Sequence, residues 1–176
     1  MRFIDISPTV RAESPVWPGD SPFELAAKWS IGAGDSVSVG TVTTTTHIGA
    51  HIDAPAHVVA GAPTIDETPL DACIGPCLVV DVSDLVDRSR VPHGQVAAEA
   101  VRVRAGAGDT SVERLLLRHY PAPQREWDPA LPGIDPALMR WFAAQGGRLL
   151  GIDLASFDPA ESKELAAHRV GVEHGV

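Results

Sequence analysis

Cysteine is nearly missing from this sequence: Cys73 and Cys77 are the two examples in 176 residues. They flank Gly75-Pro76 at a spacing that is neither a CxxC motif nor half of a zinc-ribbon pair, so thiolate chemistry has no support and both are expected to be small core hydrophobes. Basic residues are scarce too. Lys and Arg number 14 against 23 acidic residues, a net charge of −9 with no Lys/Arg run, which excludes nucleic acid as the expected partner and leaves small neutral or cationic molecules easier to admit. No segment approaches ~18 consecutive apolar residues, and the start Met-Arg-Phe-Ile-Asp-Ile-Ser-Pro has no apolar h-region. A cytoplasmic protein with no membrane partner is the expectation. Nucleotide motifs are missing as well: no Walker loop is present, and Gly32-Ala33-Gly34 and Gly106-Ala107-Gly108 lack the rest of a dinucleotide fingerprint. Ser156 has no GxSxG elbow around it, which argues against a serine hydrolase.

What the chain does have is ligand chemistry concentrated in one place. Between Thr43 and His57 stand His47, His51, Asp53 and His57, three of the seven histidines and an aspartate within eleven positions. All four occupy odd positions, which an extended segment sends to one face, whereas in a helix Asp53 would rotate away and Gly49 and Pro55 would be ill placed. A Thr-rich strand running into an extended loop is expected. Imidazole and carboxylate without thiolate suit Zn²⁺, or the harder Mn²⁺, with open positions for water and a hydrolytic role. His93, His119 and His174 stand alone and read as satisfied structural histidines.

With 44% hydrophobic and 21% charged residues, the chain is long enough for one domain with a real core. Phe3–Ile6 reads as a short first strand. Pro18-Gly19 fits the centre of a type II turn that fixes Trp17, a residue whose pattern places it at the edge of the core. Strands are expected over 23–30 and 36–43, a loop over 64–69, and a strand buried on both faces over 77–82. A helix over 95–101, a strand over 112–118, a helix over 136–145 capped by Asp135 and stopped by Gly146, and a strand over 148–154 follow. Asp158 to Arg169 begins with a capped turn leading to a short helix, with Gly175 as its terminator. Strand and helix alternate in α/β order after a more antiparallel first third, and no linker divides the chain.

His47-x-Gly49-Ala50-His51-x-Asp53-Ala54-Pro55-x-His57 resembles the HxGxHxDxPxH signature of the metal-dependent cyclase family, and within it the kynurenine formamidases of bacteria, where alanine typically precedes the second histidine. Supporting matches are Asp5-Ile6-Ser7-Pro8, Pro15-Val16-Trp17-Pro18-Gly19-Asp20, Pro69-Leu70-Asp71, Gly75-Pro76-Cys77, Gly151-Ile152-Asp153, Asp158-Pro159 and Ser162-Lys163. The resemblance implies a single domain over residues 1–176 with the family's swivelling β/β/α fold. It implies hydrolysis of N-formyl-L-kynurenine to L-kynurenine and formate by a homodimer with two zinc ions per subunit. His47, His51, Asp53 and His168 match metal ligands, His57 the proton-transfer residue and Trp17 a wall of the substrate pocket. The family pattern also carries a glutamate shared by both metals, and a closing segment, beyond the position of Val176. A hydrolase of a cyclic aromatic amide, like the isatin hydrolases, and a binding module that keeps the fold without turnover are the alternatives.

Overall fold

The computed structural model describes residues 4–106 and 112–176. They form two compact units: residues up to Asp53 together with Arg125–Trp127, and residues 54–124 together with Asp128–Val176. Small sheets and three α-helices among the described residues make the fold mixed α/β. No described helix is long and apolar enough to cross a membrane.

The first unit is built on an antiparallel hairpin of β1 (Glu24–Trp29) and β2 (Val39–Thr43), with a 3₁₀ turn at Ile31–Ala33 between them. Leu25 faces Val42 and Ala27 faces Gly40, and a register shift between Ala27 and Trp29 bends the strand. Gly19 at φ +90° and the bond from the Asp20 amide to the Trp17 carbonyl at 2.9 Å close the expected turn at Pro18-Gly19. The first strand is not formed. Ile4 to Ile6 are irregular and exposed, with the Asp5 carboxylate accepting the Ser7 amide at 2.9 Å and turning the chain, while Phe3 lies outside the described residues.

The second unit carries a parallel sheet in the order β3 (Leu78–Asp81), β4 (Arg114–Arg118), β5 (Leu149–Ile152). The apolar run at 77–82 is therefore an edge strand and not a central one. Val80 and Val82 are buried, but Val79 is 63% exposed, and β4, with Leu115 and Leu117, takes the middle. Cys77 leads into that edge and is exposed, and Cys73 is half-buried, so neither is a core residue. Helix α1 (Ala98–Ala105) starts three residues later than the expected 95, because Ala97 is still extended. Helix α2 (Pro136–Ala144) begins where Asp135 accepts the Ala137 amide at 2.8 Å, with Pro136 in the first turn, and it buries Leu138, Met139 and Phe142 against the sheet core. Residues 64–69 hold a single 3₁₀ turn, Ile65–Glu67, with a reciprocal capping box between Thr64 and Glu67. Helix α3 (Ala166–His174) packs on α2 and ends at Gly175, φ +74°.

Candidate metal centre

In the first unit the ligand loop leaves β2 at Thr43 and is not one extended edge. It bends at Thr46-His47 and again at Gly49-Ala50. Thr45, only 8% exposed, accepts the His47 amide on its hydroxyl at 3.2 Å. Gly49 has φ +63°, and a Cβ there would come within 2.8 Å of Val10 Cγ2, so both conformation and space require glycine. That turn presents the Gly49 carbonyl to His51 Nδ1 at 3.0 Å. A carbonyl can only accept, so Nδ1 carries the hydrogen and, in the neutral ring, Nε2 bears the lone pair that could coordinate an ion.

Two imidazoles then meet one carboxylate oxygen. Asp53 Oδ1 lies 2.8 Å from His47 Nδ1 and 3.3 Å from His51 Nε2, and the two rings stand 5.2 Å apart at 85°. About a third of each side chain reaches solvent. The Asp53 carboxylate holds the His51 imidazole above its usual pKa, burial opposes this, and the Gly49 carbonyl adds to it. One ligand atom from each of His47, His51 and Asp53 lies within 4.8 Å of the others. Donor pairs around a tetrahedral zinc with bonds of about 2.0–2.1 Å are separated by roughly 3.3 Å, so this donor set fits a divalent ion of that kind. His47, His51 and Asp53 are brought together by these bends, not by the strand alternation expected to place them with His57 on one extended face.

His57 and His168 belong to the second unit. His57 ends a 3₁₀ turn, Pro55–His57, which the Ala56 amide ties to the Pro63 carbonyl at 3.0 Å. Its ring lies 6.0 Å from that of His168, and Phe157 covers His168 at 5.2 Å. His168 sits in the first turn of α3, 8% exposed, and its Nδ1 is 2.6 Å from Asp158 Oδ2. The same carboxylate accepts the amides of Ala167 at 3.0 Å and His168 at 3.2 Å, so Asp158 caps the helix and orients the ring, leaving Nε2 for a ligand. Leu165, just before the helix, is held at φ 48°, a left-handed conformation uncommon for a bulky side chain. Burial raises the Asp158 carboxyl, and the His168 hydrogen bond with the two amides outweighs it and keeps the group below the usual range.

A third pair repeats the pattern at the ends of β4 and β5. Asp153 accepts the amides of His119 at 2.7 Å and Tyr120 at 3.0 Å, and His119 Nδ1 lies 3.2 Å from it. His119 is 1% exposed, and the Arg88 guanidinium donates to its carbonyl at 2.8 Å, in keeping with a satisfied structural histidine. Burial raises the Asp153 carboxyl, but the His119 side chain and the two amides carry it below the ordinary value.

Trp17 does not cover a core edge. It is 37% exposed and meets Trp127 edge-on, ring centres 4.8 Å apart at 73°. Trp127, Thr45 and the orienting role of Asp158 are the parts that sequence reasoning passes over. Only Asp158 left a signal, its place beside a proline ten residues before His168.

Residues 4–159 match the sequence profile of the Cyclase family, described as "Putative cyclase". The fold is similar to that of solved metal-dependent hydrolases. A predicted metal-dependent hydrolase from Bacillus stearothermophilus superposes with a TM-score of 0.73 at 19% identity, over 98% of this chain and 78% of that one. Isatin hydrolase A from Labrenzia aggregata, bound to benzyl benzoate, does so at 0.68 and 18% identity, over 99% and 77%.

Proposed function

Because the chain belongs to the cyclase family, we propose that it is a metal-dependent hydrolase of small aromatic amides and that its substrate is N-formyl-L-kynurenine, released as L-kynurenine and formate. The observation that carries this reading is the convergence of His47 Nδ1, His51 Nε2 and Asp53 Oδ1, with the His51 tautomer set by the Gly49 carbonyl. Zinc is the metal proposed for these donors, with Mn²⁺ as the substitute, and His168 is proposed as ligand of a second ion. A bound divalent ion supplies Lewis acidity, activating water and polarising the formyl carbonyl.

The chain's own residues do the rest. Water oxygen adds to the formyl carbon, the C–N bond breaks, and the departing aniline nitrogen takes a proton as formate forms. His57, four residues after Asp53 in the chain, is the proposed carrier of that proton. Trp17, 37% exposed and in a T-shaped contact with Trp127, is the proposed contact for the substrate's aminophenyl ring. A homodimer is the proposed assembly.

A second reading, favoured by the fold shared with isatin hydrolase A, is a hydrolase of a cyclic aromatic amide. One experiment separates the two: metal content per chain, with ultraviolet-monitored hydrolysis of N-formylkynurenine and of isatin, each with and without chelator. Chelator-sensitive turnover of the formamide alone supports the first reading, and turnover of isatin alone the second. Turnover of neither, with no bound metal, contradicts both.

A further inference from the structure

Within the first unit a short run of hydrogen bonds joins the turn that carries Trp17 to the loop that carries His47. The Asp20 amide bonds the Trp17 carbonyl at 2.9 Å, and the Ser21 amide bonds Asp20 Oδ1 at 2.7 Å. The Thr45 amide bonds the Ser21 carbonyl at 3.1 Å, and the His47 amide bonds the Thr45 hydroxyl at 3.2 Å. Thr45 is the one residue common to both halves, 8% exposed in a run of four threonines of which the others are half-buried or exposed. We propose that Thr45 is a positioning residue, whose backbone holds the Trp17 turn and whose hydroxyl holds the first bend of the metal-ligand loop, so that it sets the affinity of the His47–His51–Asp53 cluster for its ion. The proposal rests on that cluster being a metal site.

The chemistry of the hydroxyl supports it. A threonine Oγ1 can donate one hydrogen bond while accepting another. The Thr45 hydroxyl and the Ser21 amide draw the Asp20 carboxyl below the usual carboxylate range, and the same hydroxyl accepts the His47 amide. Losing it frees the His47 backbone to leave the bend, and with it the ring that stands 2.8 Å from Asp53. Thr44 is the natural control, because its Oγ1 is buried yet, among the described residues, has no hydrogen-bond partner.

The test titrates metal-stripped protein with Zn²⁺ against a chromophoric chelator, for wild type and for Thr45→Val, Thr45→Ser and Thr44→Val. Thr45→Val is expected to bind about tenfold more weakly, the scale of loss seen when a group supporting a ligand is removed. Thr45→Ser restores the affinity and Thr44→Val leaves it unchanged. Equal affinity in Thr45→Val and wild type overturns the proposal and leaves the metal site standing. Equal weakening in Thr44→Val and Thr45→Val overturns it too, as a general packing effect. A wild type that binds no Zn²⁺ overturns both the proposal and the reading beneath it. Should Thr45→Val fail to fold, hydrogen exchange of the His47 amide in wild type decides: protection is expected, and exchange at the rate of an open loop contradicts the bond.

Discussion

The first unit and the second both set histidine beside aspartate, and they do it to opposite ends. In the second unit Asp158 and Asp153 each accept two backbone amides as well as an imidazole Nδ1. Their charge is stabilised by the fold, and they aim a ring that is almost wholly buried. In the first unit a single oxygen of Asp53 faces nitrogens of two rings, and about a third of each side chain reaches water. A carboxylate surrounded by amides is an orienting group. One whose single oxygen lies between nitrogens of two rings suits a cation placed among them. Residue type alone does not separate ligand from support; the partners of the carboxylate do.

That contrast breaks or holds in a series of variants. The largest effect is expected for Asp53→Ala: metal affinity falls by more than about a hundredfold while the melting temperature of the metal-free protein hardly changes, because the loop is half open to solvent. Titration and calorimetry together check it. Next comes His57→Ala, which should keep its metal, measured by mass spectrometry, and lose roughly 10² to 10⁴ in kcat on an aromatic formamide. Equal loss of metal would make His57 a ligand instead. Asp158→Ala, unlike Asp53→Ala, should destabilise the metal-free protein itself, since removing a helix cap and a buried acceptor costs about 1–3 kcal/mol of stability even without metal. Denaturant unfolding of the metal-free protein measures this. Trp17→Ala should raise KM for the aromatic formamide more than it lowers kcat, and unchanged values of both would remove the indole from the substrate's surroundings.

The smallest effect is one of pH. Asp153 is held below its ordinary value when folded, so its contribution to stability is whole above the unfolded value near about 3.9 and is lost as pH falls through the lower folded one. The difference in melting temperature between wild type and Asp153→Asn should therefore be largest near neutral pH and shrink below about pH 4. A difference that stays constant down to pH 2 would mean the carboxylate is not stabilised by the His119 contact.

Local signals were legible wherever they carried their own geometry. Asp135-Pro136 and Gly146 bracket α2 almost to the residue, Pro18-Gly19 makes its turn, and the β1–β2 hairpin follows the alternation on either side of Gly32 and Gly34. The run at 77–82 misled because apolar length reports burial of a strand's neighbours as readily as of its own two faces. Val79 is largely exposed at the sheet edge. Odd-numbered spacing gathered His47, His51 and Asp53 correctly for the wrong reason, since Gly49 at positive φ and the Thr45 bend do the gathering. Asp158 and His168 were each legible as family matches, but the hydrogen bond between them was not. Ten residues separate them, and the first turn of α3, whose amides Asp158 accepts, brings the ring onto the carboxylate.

The central claim is that His47, His51 and Asp53 hold a metal ion. Zinc titration of the metal-free protein, run side by side with Asp53→Ala and followed by metal analysis of the gel-filtered products, tests it most directly. At least one tightly held zinc per wild-type chain, and its loss in the variant with the fold intact, is the predicted result. A wild type that emerges without metal, or a variant that retains the wild-type amount, contradicts the claim.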